Sequence, residues 1–416
     1  MNFKIIKGLV FIWFFMGLIQ FGWSQSEREI AKKMVADAEI KMRILDFEGA
    51  VMKFDEAIST DPTYAQAYAK RGALLQKLGR NEQAIADFDQ AILLNPYLEY
   101  LYDERAKLKI LVDDYKGAIL DLNKAVELCP ETNHYRLKLA EAELSSGNYQ
   151  GALLIYNEYL KDYPGDTISL MGRSLSYLEL NEFPEAQRDV EKLIELAPEF
   201  DPAYNLLGLI DLELGYYKEA RQNFNQSLKM NPQNASTYFN RGYLSFLEKE
   251  YLAAINDFSS AIQFDSSYTI AYFNRALAKK LYGDQEGAIE DYNYAVGHSS
   301  DFAAAYYNRG LTKKILGDFT GALNDYDLAL AESPDDPAIH NARGNLKAFY
   351  RQYDDAIQDF TEAIRLNPEY AEAYFNRGMA LIFQGKPNEG CSDLNTAESF
   401  GFEKATEKIN YFCSGR

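Results

Sequence analysis

With 416 residues and 47% hydrophobic content, the chain is long enough for two or three globular domains, or for one array of repeats that needs no single core. A formal net charge of −19, with no basic run to offset it, argues against a nucleic-acid backbone as partner. His134, His298 and His340 are the only histidines, and no zinc, phosphate-loop or nucleophile-elbow motif is present, so the expectation is a non-enzyme without metal or cofactor.

Taken from the start, Lys4 and Lys7 precede an apolar run from Gly8 to Phe21, and the small residues Gly22 and Ser24 suit cleavage after Ser24. Residues 1–24 therefore fit a signal peptide, with an uncleaved anchor as the alternative; no other stretch is apolar enough to span a membrane. The expected location is outside the cytoplasm, in the periplasm or cell envelope. Residues 25–30 form a short extension.

From Ala31 a unit of 34 residues recurs eleven times without a gap. It begins at Ala31, Ala65, Glu99, Asn133, Thr167, Asp201, Ala235, Thr269, Ala303, Pro337 and Ala371. Apolar residues follow a helical period on both sides of a mid-unit turn, which predicts helix, turn, helix. Position 8 is always small, from Ala38 and Gly72 to Gly344 and Gly378, and position 20 is alanine from Ala50 to Ala356, then Gly390. Small residues let two helices approach closely. Position 32 is proline in eight units, where it ends the second helix; Ser266 and Ser300 replace it in repeats 7 and 8, which predicts looser turns there. One hairpin cannot bury its own apolar face, so copies must stack.

Two polar positions change together. Position 7 is Arg71, Arg105, Arg173, Arg241, Arg275, Arg309, Arg343 and Arg377, and position 23 of the same eight repeats is Asp87, Asp121, Asp189, Asp257, Asp291, Asp325, Asp359 and Asp393. Repeat 4 has Leu139 and Ile155, repeat 1 has Asp37 and Lys53, and repeat 6 has Leu207 and Asn223. An ion pair between the two helices of each hairpin is expected, with a ligand-binding row of arginines as the alternative. Repeats 4 to 6 also lose the alanine of position 27, to Tyr159, Leu193 and Ser227. They mark a seam between two more regular arrays.

This pattern, from Ala31 to about Lys404, resembles the tetratricopeptide repeat. The resemblance implies an all-α, right-handed superhelical solenoid of eleven helix-turn-helix repeats (31–404), closed by a C-terminal capping helix within 405–416. It also implies a concave groove lined by the first helices at positions 2, 5, 9 and 12. Those positions supply Phe239, Tyr243, Phe246, Phe273, Tyr307 and Phe375 in the C-terminal half. An exposed apolar patch there marks a partner site, and burial in the core is the competing assignment. Position 6 is Asn240, Asn274, Asn308 and Asn376, which resembles the asparagine ladder that holds the main chain of an extended peptide in some members of the family. Bonding within the scaffold is the alternative. The carboxylate clamp of co-chaperone members is not matched: Asn345 and Asn376 fit it, but Asn341 stands in place of a lysine and no third repeat follows.

Cys129, Cys391 and Cys413 are an odd number in a chain expected to be exported. Cys391 falls in the last hairpin and Cys413 ends the capping helix, and such endings resemble those of other exported bacterial repeat proteins. A Cys391–Cys413 disulfide pinning the cap is expected, with Cys129 as a small buried hydrophobe; two separate thiols are the alternative.

The resulting expectation is a non-catalytic scaffold that binds an extended segment of another protein, with no nucleic acid and no membrane span after signal cleavage. A structural component that associates with itself or with an envelope complex is the first alternative. An accessory to envelope polysaccharide handling is the second.

Overall fold

The computed structural model describes residues 25–299 and 302–413. The signal segment 1–24 and Ser300 lie outside them. Every regular element among the described residues is an α-helix. The chain divides into two compact units, Met1–Glu199 and Phe200–Arg416, at a point inside the irregular repeats 4 to 6.

The first unit holds α1 (25–43), α2 (Phe47–Thr60), α3 (Ala65–Lys77), α4 (Asn81–Leu94), α5 (Glu99–Leu111), α6 (Tyr115–Leu128), α7 (Asn133–Ser145), α8 (Tyr149–Asp162), α9 (Thr167–Glu179) and α10 (Phe183–Leu196). The segment 25–30, expected to be separate from the first repeat, is helical and continuous with it. The second unit holds α11 (Asp201–Glu213), α12 (Tyr217–Met230), α13 (Ala235–Leu247), α14 (Tyr251–Phe264), α15 (Thr269–Tyr282), α16 (Gln285–His298) and α17 (Ala303–Ile315). It continues with α18 (Phe319–Glu332), α19 (Pro337–Phe349), α20 (Tyr353–Leu366), α21 (Ala371–Gln384), α22 (Pro387–Ser399) and α23 (Lys404–Phe412).

Eight of the eleven hairpins close around an aromatic ring at position 24, and repeats 3, 5 and 11 around Leu122, Val190 and Leu394. Phe54, Phe88, Tyr156, Phe224, Phe258, Tyr292, Tyr326 and Phe360 are all fully buried there. The small residue at position 8 makes the space: a Cβ added at Gly310 would lie 2.7 Å from the Tyr326 ring, and one at Gly208 would lie 2.6 Å from Phe224. Alanines at positions 20 and 27, such as Ala322 and Ala329, are fully buried beside it.

The turn inside each hairpin places position 15 in the left-handed region in all eleven repeats. Gly79, Gly147, Gly215, Gly283, Gly317 and Gly385 adopt it freely, and Leu45, Asp113, Asn181, Lys249 and Arg351 adopt it at φ between 58° and 63°. Asp46, Asp114, Asn148, Asp284 and Asp318 then cap the second helix by accepting from the N–H of a glycine three residues on.

The turn after α14, expected to be loose without its proline, is instead held by a side chain. Asp265 accepts from the Ser267 amide at 2.9 Å and from its hydroxyl at 2.6 Å, and α14 ends at the same register as its neighbours. At the C-terminus α23 packs on α22, with Ala405 fully buried, and Cys391 and Cys413 are joined by a disulfide. Cys129, expected to be buried, is half-exposed. It caps the end of α6, where its Sγ lies 3.1 Å from the Thr132 hydroxyl.

Candidate functional site

The arginines of position 7 all point at the aspartates of position 23. In each of the eight repeats Nε and Nη2 donate to the two carboxylate oxygens, as for Arg309 and Asp325 at 2.9 and 2.6 Å. The aspartates are nearly or fully buried and the arginines half-buried, so these are structural pairs rather than a row open to ligand. Lys109, Lys279, Lys313 and Lys347, all at position 11, add a second cation to four of the carboxylates. Where the pair is missing in repeat 4, Leu139 and Ile155 pack together instead. Lys53 of repeat 1 pairs with Glu56 on its own helix.

Pairing alone does not exhaust the guanidinium. Its Nη1 donates to position 25 of the preceding repeat: Asp55, Asp89, Asn157, Asn225, Ser259, Asn293, Asp327 or Thr361. A polar side chain sixteen residues before every arginine was the available sequence signal. In six of these repeats the guanidinium also stands over the tyrosine of position 4, for example Tyr306 beneath Arg309 at 5.4 Å. In repeat 10 that tyrosine is replaced by His340, whose Nδ1 lies 3.9 Å from Asp359 Oδ1 while Nε2 contacts the Pro334 carbonyl at 2.9 Å. The Asp359 carboxylate holds the imidazole pKa above its ordinary value, against the effect of burial. Burial pushes the Asp359 carboxyl up, but contacts from His340, Arg343 and Lys347 outweigh it and hold the group at about 2.

The expected partner-binding residues sit on four first helices of the second unit: Phe239, Asn240, Tyr243 and Phe246 on α13, Phe273 and Asn274 on α15, Tyr307 and Asn308 on α17, Phe375 and Asn376 on α21. Tyr243 is the exposed member, at 38%. The aromatics of position 5 are more enclosed than a free groove would leave them. Phe239 lies against Phe258 at 5.6 Å and Tyr268 at 5.1 Å; Phe273 lies against Tyr292 and, at 4.6 Å, Phe302. Tyr307 rests on Tyr326, Phe375 on Phe402 at 4.9 Å, and Phe246 on Tyr251. Burial pushes the Tyr307 hydroxyl pKa up to about 12. Phe239, Phe273 and Phe375 thus pack against the following turn, whereas Tyr307 and Phe246 pack within their own hairpins.

The asparagines bond within the scaffold. Asn240 Nδ2 donates to Asn205 Oδ1 at 3.0 Å, and Asn376 Nδ2 to Asn341 Oδ1 at 2.9 Å; each amide thereby reaches position 5 of the preceding repeat. Asn274 is buried and donates to the Ile270 carbonyl, while Asn308 accepts from Lys280 Nζ at 2.8 Å and donates to the Ala304 carbonyl. In the first unit Lys138 makes the same stride as Asn240, donating to both oxygens of buried Asp103 at 2.6 and 2.8 Å.

Two cavities open on first helices. One, of about 230 Å³, lies beside Asn345, Phe349, Phe375, Asn376, Met379 and Phe383. The other, of about 340 Å³ in the first unit, is lined by Ile110, Leu111, Ala142 and the Asp103–Lys138 pair, which the sequence reading did not single out. Among the described residues no group of three or more His, Cys, Asp or Glu is placed to hold a metal ion, and no helix is long and apolar enough to cross a membrane.

These features define an array of repeated helical hairpins, and the family comparisons agree. A family model described as TPR repeat matches residues 208–248 and 352–385, and models described as tetratricopeptide repeat match 65–98, 112–167, 171–222 and 303–336. The chain belongs to the tetratricopeptide repeat proteins, whose solenoids commonly mediate protein–protein interaction. A search of curated protein sequences finds no match. Among solved structures, the APC/C hetero-tetramer Cut9–Hcn1 is similar at 16% identity and a TM-score of 0.50, over 84% of this chain and 76% of that one. A tetratricopeptide repeat protein from Parabacteroides merdae is similar at 18% identity and a TM-score of 0.44, over 59% of this chain and 97% of that one. Yeast Tom70 is similar at 16% identity and a TM-score of 0.41, over 92% and 95%.

Proposed function

We propose that the chain is a non-catalytic scaffold outside the cytoplasm that holds an extended segment of another protein against the first helices of its second unit. The observation that carries this reading is the cavity beside Phe375, Asn376 and Met379, with exposed Tyr243 on the same set of helices. A hollow lined by aromatic rings and by the Asn345 and Asn376 amides offers room for a side chain and polar groups for the main chain around it. The position-5 aromatics serve mainly as the floor of that surface. The Cys391–Cys413 disulfide favours an oxidising compartment, in keeping with residues 1–24 acting as an export signal or an anchor.

A photo-reactive residue in place of Tyr243 or of Met379 tests the proposal, with Asn256 on α14 as the control position. One polypeptide crosslinked from both groove positions, through a contiguous stretch of its sequence, is the expected result. Equal labelling from the control position, or none from either groove position, would sink the reading.

A further inference from the structure

The space beside each arginine–aspartate pair is filled differently from repeat to repeat. In repeats 3, 8, 9 and 10 the ammonium of Lys109, Lys279, Lys313 or Lys347 lies there, 2.8–2.9 Å from the aspartate. Lys109 and Lys279 also reach the carbonyl of position 19. In repeat 5 position 11 is Tyr177, whose ring lies beneath Arg173 at 5.9 Å. In repeat 7 it is Ser245, and Arg221 of the preceding repeat donates to its hydroxyl at 3.3 Å. In each of these repeats the chain supplies its own cation or ring.

Repeats 2 and 11 have leucine at position 11, Leu75 and Leu381, and in both a cavity of about 430 Å³ opens beside the pair. Equivalent positions line the two: 21 and 25 of the preceding repeat, then 7, 11, 19, 22 and 23. Positions 19 and 23 are the ones that receive the lysine ammonium elsewhere. The cavities differ in charge. In repeat 2, Arg80 also lines the wall, so a second cation is present, 3.6 Å from Glu48. In repeat 11 the equivalent Lys386 is exposed and stands outside the lining, while position 19 is the exposed Glu389. Arg377 is the one cation among the described lining residues, against the two carboxylates Asp393 and Glu389, and its Nη1 is engaged by Thr361. The other arginine of the three helices around the cavity, Arg365, is paired with Glu362. Asp354, Asp355, Glu372 and Glu398 are exposed on the same helices and keep the surrounding field negative.

We propose that the repeat 11 cavity binds a primary alkylammonium group supplied from outside the chain. The nitrogen takes the place that Lys313 Nζ holds in repeat 9, donating to Asp393 with Glu389 as second acceptor. The carbon stem lies on Leu381 and Ile357, as the lysine stem does on its own helix. A polypeptide lysine and a free polyamine present this same group. The cavity shares no lining residue with the hollow beside Phe375 and Met379, so it stands apart from the surface proposed above.

Methyl NMR on the full chain tests this, with the Ile357 and Leu381 methyl groups as reporters inside the cavity. Nα-acetyl-lysine methylamide stands for a polypeptide lysine and putrescine for a free amine. The Nε-acetylated form of the first, which lacks the charge, is the control. A saturable shift of both reporters with at least one amine, and none with the control, is expected; the tighter-binding amine names the source. Leu381→Lys copies repeats 3, 8, 9 and 10 and should abolish the Ile357 shift. Glu389→Gln should weaken binding about threefold. Glu389 is exposed, so its variant decides the matter if Leu381→Lys misfolds. The proposal is overturned by absence of saturation with both amines, by equal binding of the control, or by undiminished binding in either folded variant.

Discussion

Arg173 grips Asp189 through two parallel bonds, Nε to Oδ2 at 2.6 Å and Nη2 to Oδ1 at 2.7 Å, while Nη1 reaches back to Asn157 at 2.9 Å. Unlike Asp325, which Lys313 also holds, Asp189 has no lysine at position 11 beside it; Tyr177 stands there. Arg173→Leu strands a buried carboxylate and should lower stability by about 2–4 kcal/mol. Adding Asp189→Ile copies the Leu139–Ile155 contact of repeat 4 and should restore much of that. Denaturant melts of both singles and the double give the coupling, and a purely additive double mutant would show that the pair does not act as a unit.

Leu45 holds a left-handed turn that six other repeats assign to glycine. Leu45→Gly should raise stability by up to about 1 kcal/mol, the left-handed strain relieved being partly offset by the entropy of a glycine. Gly317→Ala should lower it by about 1 kcal/mol. Thermal melts of the two variants should therefore move in opposite directions.

The cap is the element most dependent on a covalent tie. In the chain-entropy picture a loop of 22 residues contributes about 3 kcal/mol. Cys413→Ser should leave the first unit unaffected and speed amide exchange in α23 and α22. Unchanged protection in α23 would mean that packing around Ala405 suffices to hold it.

His340 gives repeat 10 a pH dependence that its tyrosine-bearing neighbours lack. Its pKa is raised in the folded state, so its stabilising contact is fully present below pH 6.5 and is lost as pH rises through the folded pKa. The melting temperature of the wild type, relative to His340→Tyr, should therefore fall between mildly acid and mildly alkaline buffer. Asp359 runs the other way: held at about 2, it contributes above its ordinary value of 3.8 and fails as pH drops from there toward 2. A flat difference across the neutral range would remove His340 from the account.

How far the sequence reached follows from which contacts repeat. Position 8 faces position 24 wherever position 8 is glycine, so Gly310 and Tyr326 were legible from spacing alone, as was the joint variation of Arg173 and Asp189. The enclosure of Phe239 and Phe273 was not legible. It depends on Tyr268 and Phe302, turn residues whose placement carries no helical period. The asparagines were ambiguous in the sequence for a related reason: an amide that suits a peptide backbone suits another amide equally. Only residues 35 apart, Asn205 with Asn240 and Asn341 with Asn376, distinguish the two, and that spacing becomes meaningful once neighbouring first helices are known to touch.

The third bond of each arginine makes a statement about cooperativity. Because Nη1 always crosses to the hairpin before its own, the residue is a coupling between neighbours as well as a fastening within one. In a linear array such coupling decides how many units melt together. From Arg241, bonded back to Asn225, through Arg377, bonded back to Thr361, the series is unbroken. Leu139 and Leu207 leave it open at repeats 4 and 6. Repeats 6 to 11 are thereby wired in series, while repeat 4 is tied to its predecessor by a different bond, from Lys138 to buried Asp103.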